Sequence, residues 1–191
     1  MKIIFLIILI LMMTILSGCN YKMCWKEQVW LDEGRFVEVE RYSVGKLDFP
    51  NSSTVATQHQ EFKYPPLGVS FSTDSRIELM SFYVVGADAY LIIPASGKRE
   101  KFCSGKRKGD YQVRVIRWRN EKMQEVDQHD APIESMRLNL SGNSNWKFRH
   151  EDKSKKYLSW QDVAKATGQS EYSPPMLISE FYKIRKHAVC H

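Results

Sequence analysis

Cys19 carries the clearest chemistry in this chain. It closes the run Leu16-Ser17-Gly18-Cys19, behind a segment that is apolar at every position from Ile3 to Leu11 and has Lys2 at its head. A thiol in that setting is the acceptor for a diacylglycerol thioether, and the small residues before it suit the cut that would leave Cys19 as an acylated N-terminus. The apolar run is shorter than the roughly 20 residues a spanning helix needs. It has the charged head, apolar middle and small-residue end of a cleavable secretory leader. Residues 1–18 are therefore expected to be a lipoprotein signal peptide, residues 19–26 a lipidated tether, and residues 27–191 a single β-rich periplasmic domain. The membrane is then a partner through the N-terminal lipid. Asn20, where an acidic residue would retain a lipoprotein in the inner membrane, favours the periplasmic face of the outer membrane.

Three thiols remain, Cys24, Cys103 and Cys190. The compartment is oxidising, and three cysteines allow three single pairings. Cys103–Cys190 is favoured, with Cys24 left over. His129 lies in Asp127-Gln128-His129-Asp130. As a base oriented by Asp127 or Asp130 it would still need a nucleophile such as Ser96 or Ser104, and the plainer reading is an exposed polar loop. There is no H-E-x-x-H, no G-x-S-x-G and no P-loop, so no catalytic residue is assigned. His187, Cys190 and His191 are zinc or copper donor types, but they crowd one terminus and compete with the disulfide. No metal site and no cofactor are expected.

The strongest binding candidate is the loop holding Lys98, Arg99, Lys101, Lys106, Arg107 and Lys108. Six cations in eleven residues, broken by Gly105 and bordered by Gly97 and Gly109, can clamp phosphate or carboxylate groups; the favoured, plainer reading is a solvated loop whose charges keep the surface soluble. The whole chain has 28 Lys and Arg against 22 Asp and Glu, a net +6, and loss of Lys2 with the leader lowers this by one. That balance favours an anionic envelope component or an acidic envelope protein as partner. The compartment excludes nucleic acid. Trp25 and Trp30 suit either a sugar or membrane contact or a core beneath a hairpin, and the core reading is favoured.

The elements that must position these groups read mostly as strands. Gln28 to Leu31 and Arg35 to Tyr42 form a hairpin about Gly34, with Val37 and Val39 on one face and Glu38 and Glu40 on the other. Residues 43–66 read as irregular, because turn residues cluster at 48–53 and at Pro65-Pro66. Strand patterns resume at Leu67 to Ser72, at Arg76 to Val85 (apolar on both faces, hence a central strand) and at Ala89 to Ile93. Tyr111 to Arg119 places Tyr111, Val113 and Val115 on one face and Ile116 and Trp118 on the other, with a hairpin loop at Asn120-Glu121-Lys122 into Met123 to Val126. One helix follows Ser159, with Trp160, Val163, Ala164 and Thr167 at helical spacing and Gly168 as its stop. After Pro174-Pro175, Met176 to Ile184 reads as a last extended run. The expected fold is mainly β, an antiparallel sandwich or curled sheet with one short C-terminal helix.

The segment from Trp25 to Arg41, written W-x-E-x-V-x-L-x-[DE]-G-R-x-x-x-V-x-R, resembles the mature N-terminus of a family of small uncharacterised proteobacterial lipoproteins. Ala89 to Pro94, the stretch from Tyr111 to Trp118 and the Tyr-rich end closing on Cys190 are similar in order. Glu33 stands where the family has Asp before Gly, a weaker turn former. The resemblance implies location and rough fold, and no chemistry. The function expected is that of a lipid-anchored envelope protein acting as a non-enzymatic binding or structural module. The alternatives are an immunity or inhibitor lipoprotein against a secreted toxin or hydrolase, and an envelope hydrolase.

Overall fold

The computed structural model describes residues 20–32, 34–47, 55–74, 77–94, 111, 113–141 and 156–190. They form nine strands: β1 (Asn20–Asp32), β2 (Arg35–Leu47), β3 (Val55–Tyr64), β4 (Val69–Thr73), β5 (Ser81–Val85), β6 (Asp88–Pro94), β7 (Val113–Arg119), β8 (Lys122–Val126) and β9 (Tyr157–Leu158). Two helices follow, α1 (Trp160–Thr167) and α2 (Ile178–Cys190). The first sheet has the order β4-β3-β2-β1-β9 and the second β5-β6-β7-β8. All pairs are antiparallel except the short contact of β9 with β1. The protein is thus mainly β, with two sheets and two short helices. No described helix is long and apolar enough to cross a membrane.

Period-two patterning builds the first sheet. Trp25, Val29, Leu31 and Val39 are buried, while Cys24, Glu38 and Glu40 on the opposite phase are exposed. Gly34 takes a φ of 73° at the β1–β2 turn, a left-handed value that favours glycine. Arg35 closes the same turn, its Nη2 donating to Asp32 Oδ2 at 2.8 Å. The hairpin is longer than its sequence signal. β1 is paired with β2 from Asn20 onward, so it runs through the segment read as a tether.

Strands β5 to β7 of the second sheet are covered on both faces, while β8 is exposed. One face joins a core that also draws on the first sheet, with Val29, Leu31, Val39, Phe62 and Val69 packed among Phe82, Leu91, Ile93, Ile116 and Trp118. Its other face, with Tyr90, Ile92 and Val115, packs under Ile133, Met136, Ile178 and Tyr182. The two-faced pattern expected for Tyr111 to Trp118 is therefore realised, with each face in a different core. Asn120 and Glu121 have φ of 52° and 60°, the pair of positive values of a tight primed hairpin turn.

Four expectations are corrected. Within residues 43–66, 43–47 and 55–64 are strand: Gln60 and Phe62 turn inward on alternate positions, and an irregularity in the β2–β3 pairing beside His59 resets the phase so that Thr57 is buried too. The stretch before Gly86 gives β5, an edge strand rather than a central one. It is apolar on both faces because side-chain layers cover both sides of this sheet. The C-terminal run is a helix. Ile178, Phe181 and Tyr182 fall at helical spacing onto the second core, and Glu180 accepts a hydrogen bond from the Leu177 N–H at 3.2 Å, stabilising the first turn. No disulfide is formed among the described residues, which overturns the expected Cys103–Cys190 bond. The extended tail that was to carry it is absent, Cys190 ends α2, and Cys103 lies outside the described residues. Helix α1, by contrast, follows its sequence signal. Ser159 and Asp162 form a complete capping box, and Gly168 ends the helix at φ 69°.

Asn139 explains how β5 tolerates its edge position. The Phe82 N–H donates to Asn139 Oδ1 at 2.9 Å, and Asn139 Nδ2 donates to the Phe82 and Trp30 carbonyls at 2.7 Å each. One fully buried amide thus stands in for a missing strand and ties β5 to β1. Asn139→Ala leaves three buried backbone groups without those bonds and should lower the unfolding free energy by roughly 3 kcal/mol, measured by urea denaturation.

Candidate functional site

The first sheet presents an outer surface of ordered cross-strand rows. Cys24 faces Tyr42, which faces Glu61; Lys26 faces Glu40, which faces Lys63. These six residues and Lys156 surround a cleft of about 540 Å³. Lys156 is brought there by its carbonyl, which accepts from the Lys26 N–H at 2.8 Å where β9 begins beside β1. Several of the charges are matched. Lys26 Nζ lies 2.7 Å from Glu38 and Lys63 Nζ 2.9 Å from Glu61. These exposed pairs contribute little to stability, but they fix a mixed-charge surface. The hydrogen bond from Lys63 holds the Glu61 carboxyl below the usual range.

His59 borders this surface. Its Nδ1 lies 2.6 Å from Asp74 Oδ1 and its Nε2 3.3 Å from Glu61 Oε1. The Asp74 hydrogen bond holds the His59 pKa above its ordinary value; partial burial opposes this and Glu61 adds to it. A protonated ring donates on both sides and so ties β3 to the residue after β4.

Beneath the cleft the sheet turns polar where it should be apolar. Glu27 is completely buried and Arg41 nearly so, at 0% and 3% exposure. The Glu27 carboxylate accepts from Trp25 Nε1 at 3.0 Å, from Arg41 Nη1 at 3.3 Å, from the Ser141 N–H at 2.8 Å and from Ser141 Oγ at 2.7 Å. The Arg41 guanidinium lies 5.2 Å from the Trp25 ring centre and 5.8 Å from that of Phe62. Burial pushes the Arg41 pKa down and Glu27 opposes the shift. Arg41 Nε has no hydrogen-bond partner. Period two could have found both charged groups, since Glu27 is in phase with Trp25 and Val29, and Arg41 with Val37 and Val39. Their polarity argued the other way. Ser141 and Asn139 gave no sequence signal.

Most of the residues singled out from sequence lie outside the described ones. Cys19 and the whole basic loop, with Lys98, Arg99, Lys101, Lys106, Arg107 and Lys108, lie outside the described residues, as do Ser96, Ser104 and His191. His129 sits in an exposed single turn, and one Asp127 oxygen accepts from its backbone N–H at 2.9 Å. Trp25 is buried, and Trp30 stacks edge-on against Trp160 and Phe36 at 5.6 and 5.0 Å, so both tryptophans pack the hairpin. A second cavity, about 460 Å³, lies between the two helices against Leu79, Met80 and Leu140. Among the described residues no cluster of three His, Cys, Asp or Glu is placed to hold a metal ion. No family model, curated protein or solved structure matches the chain.

Removing one member of the buried pair strands the other. Glu27→Leu and Arg41→Met should each cost about 3–5 kcal/mol, and the double variant less than the sum of the two, by chemical denaturation. His59 has a raised pKa, so its stabilisation is complete below about pH 6.5 and is lost as pH rises through the raised value. The stability difference between wild type and His59→Gln should therefore be largest near about pH 5.5, above the ordinary carboxylate range, and should fade on the alkaline side.

Proposed function

We propose that this chain is a lipid-anchored protein of the bacterial envelope, held through an acylated Cys19 at the periplasmic face of the outer membrane, and that it works by binding rather than by catalysis. The observation that carries this reading is that Asn20, next in sequence to the candidate anchor, is already paired in the first sheet with Lys46. No spacer separates the lipid from the sheet, so the outer surface of that sheet operates close to the bilayer. Standing upright, the strand would hold Lys26 roughly 20 Å beyond Asn20, well past the screening length of about 8 Å. Laid along the surface, it brings Lys26, Lys63 and Lys156 to anionic head groups or to an envelope protein seated there. The resemblance of residues 25–41 to small proteobacterial lipoproteins supports the same location. The two sheets are read as a sandwich, a view supported by the apolar cluster to which both contribute.

The wild-type chain should fractionate with membranes and carry an acylated N-terminal residue by mass spectrometry, and Cys19→Ser should be released to the soluble fraction. The released chain should retain weak binding to phosphatidylglycerol vesicles that declines with salt and with Lys26→Gln combined with Lys156→Gln. Membrane retention of Cys19→Ser equal to wild type would remove the anchor, and salt-independent vesicle binding would remove the charged face.

A further inference from the structure

His59 stands where two strand pairings change at once. On its β2 side the register steps from Val44 opposite His59 to Gly45 opposite Thr57, so Gln58 is an extra residue in β3. Such a bulge bends a strand and re-aims the side chains beside it. On its β4 side the ladder runs from Tyr64 opposite Val69 to Gln60 opposite Thr73 and ends there. One rung further, in the same register, the side chains of His59 and Asp74 take over, with Nδ1 2.6 Å from Oδ1. Beside them Gln60 Nε2 donates to the Ile77 carbonyl, and the chain continues through the buried Leu79 and Met80 into β5. The crossover from the first sheet to the second is thus fastened at its start by two neighbouring side chains of β3.

The contacts of the ring set a proton requirement. Nε2 lies 3.3 Å from Glu61 Oε1, and the other Glu61 oxygen lies 2.9 Å from Lys63 Nζ. The groups facing the imidazole are Asp74 from beyond β4, Glu61 with Lys63 behind it on β3, and Tyr42 on β2, whose ring centre is 6.1 Å away. A carboxylate only accepts, and a neutral imidazole has a single N–H. Both carboxylates are bonded at once only by the imidazolium. We infer that His59 is a proton-operated latch on the crossover: charged, it holds Asp74 and Glu61 together; neutral, it keeps its one N–H for Asp74 and leaves Glu61 to Lys63. The Asp74 bond survives because it is the shorter and because Glu61 has a second partner, but it loses its charge assistance and with it about half its strength. His59 and Asp74 side chains are 31% and 91% exposed, so the latch exchanges protons with solvent. Glu61 and Lys63 also line the outer cleft, so the same proton sets how fully that lysine is neutralised there.

The test uses the full chain in non-ionic detergent. The imidazole resonances of His59, assigned by their loss in His59→Gln, are followed by NMR against pH. Amide hydrogen exchange of β4 and Asp74 is compared at about pH 5.5 and about pH 8, on either side of the ordinary histidine value, after correction for intrinsic rates. Protection should be about two- to fivefold greater at the lower pH, the range of an exposed ion pair, and the difference should vanish in His59→Gln. Asp74→Asn should lower the pH at which the ring titrates and remove the difference in β4; Glu61→Gln should lower the titration by less. None of the three positions is in the core, and circular dichroism should show the wild-type fold. Protection of β4 that does not change with pH, a pH difference that persists in His59→Gln, or a ring titration unmoved by Asp74→Asn would each overturn the inference.

Discussion

The buried Glu27 carboxylate is the constraint around which the first sheet is organised. A carboxylate taken out of water is costly unless its oxygens are satisfied. Here four donors meet it, from Trp25 on its own strand, Arg41 on the next and Ser141 from a distant segment. The register of β1 against β2 follows. A slip of β1 by one residue would turn Glu27 outward, away from Arg41, and bring Lys26 or Gln28 inward with no partners prepared there. Trp25, Glu27, Val29, Leu31, Val39 and Arg41 all face inward, so these alternate positions form one interior surface.

The segment that satisfies Glu27 also joins the sheets. Ser141 binds the carboxylate, and two residues earlier Asn139 bridges Trp30 in β1 and Phe82 in β5. One short stretch of irregular chain thus converts a polar burial problem into a connection between layers. Just before it, Met136 and Leu138 exchange backbone bonds with Met176 and Ile178, which seats α2 on the second sheet. Gly68 adds a further point of contact. A side chain there would press on Glu121 Cγ at 2.9 Å, so the β3–β4 turn and the β7–β8 hairpin tip approach through the space a missing Cβ leaves.

With the interior fixed this way, the outer surface of the first sheet is free to serve recognition. Its rows of Lys, Glu, Tyr and His are held in register by strand pairing and by mutual ion pairs, which makes a preformed pattern of charge.

The hairpin about Gly34, the two faces of Val113 to Trp118 and the capped helix at Ser159 were legible in the sequence, because each depends on residues close together in the chain. Period two is enforced by the pleat, and a capping box closes within four residues. The sequence alone also set the alternation that puts Glu27 in phase with Trp25 and Val29, and Arg41 in phase with Val37 and Val39. Only the tertiary structure decided that those charges could stay there, since Ser141 is supplied from more than a hundred residues away. It also decided that β5 lies at an edge and that Met176 to Ile184 is a helix. Aromatic and β-branched residues such as Ile178, Phe181 and Tyr182 fit strand or helix by local preference, and the apolar face of the second sheet selects the spacing that buries them.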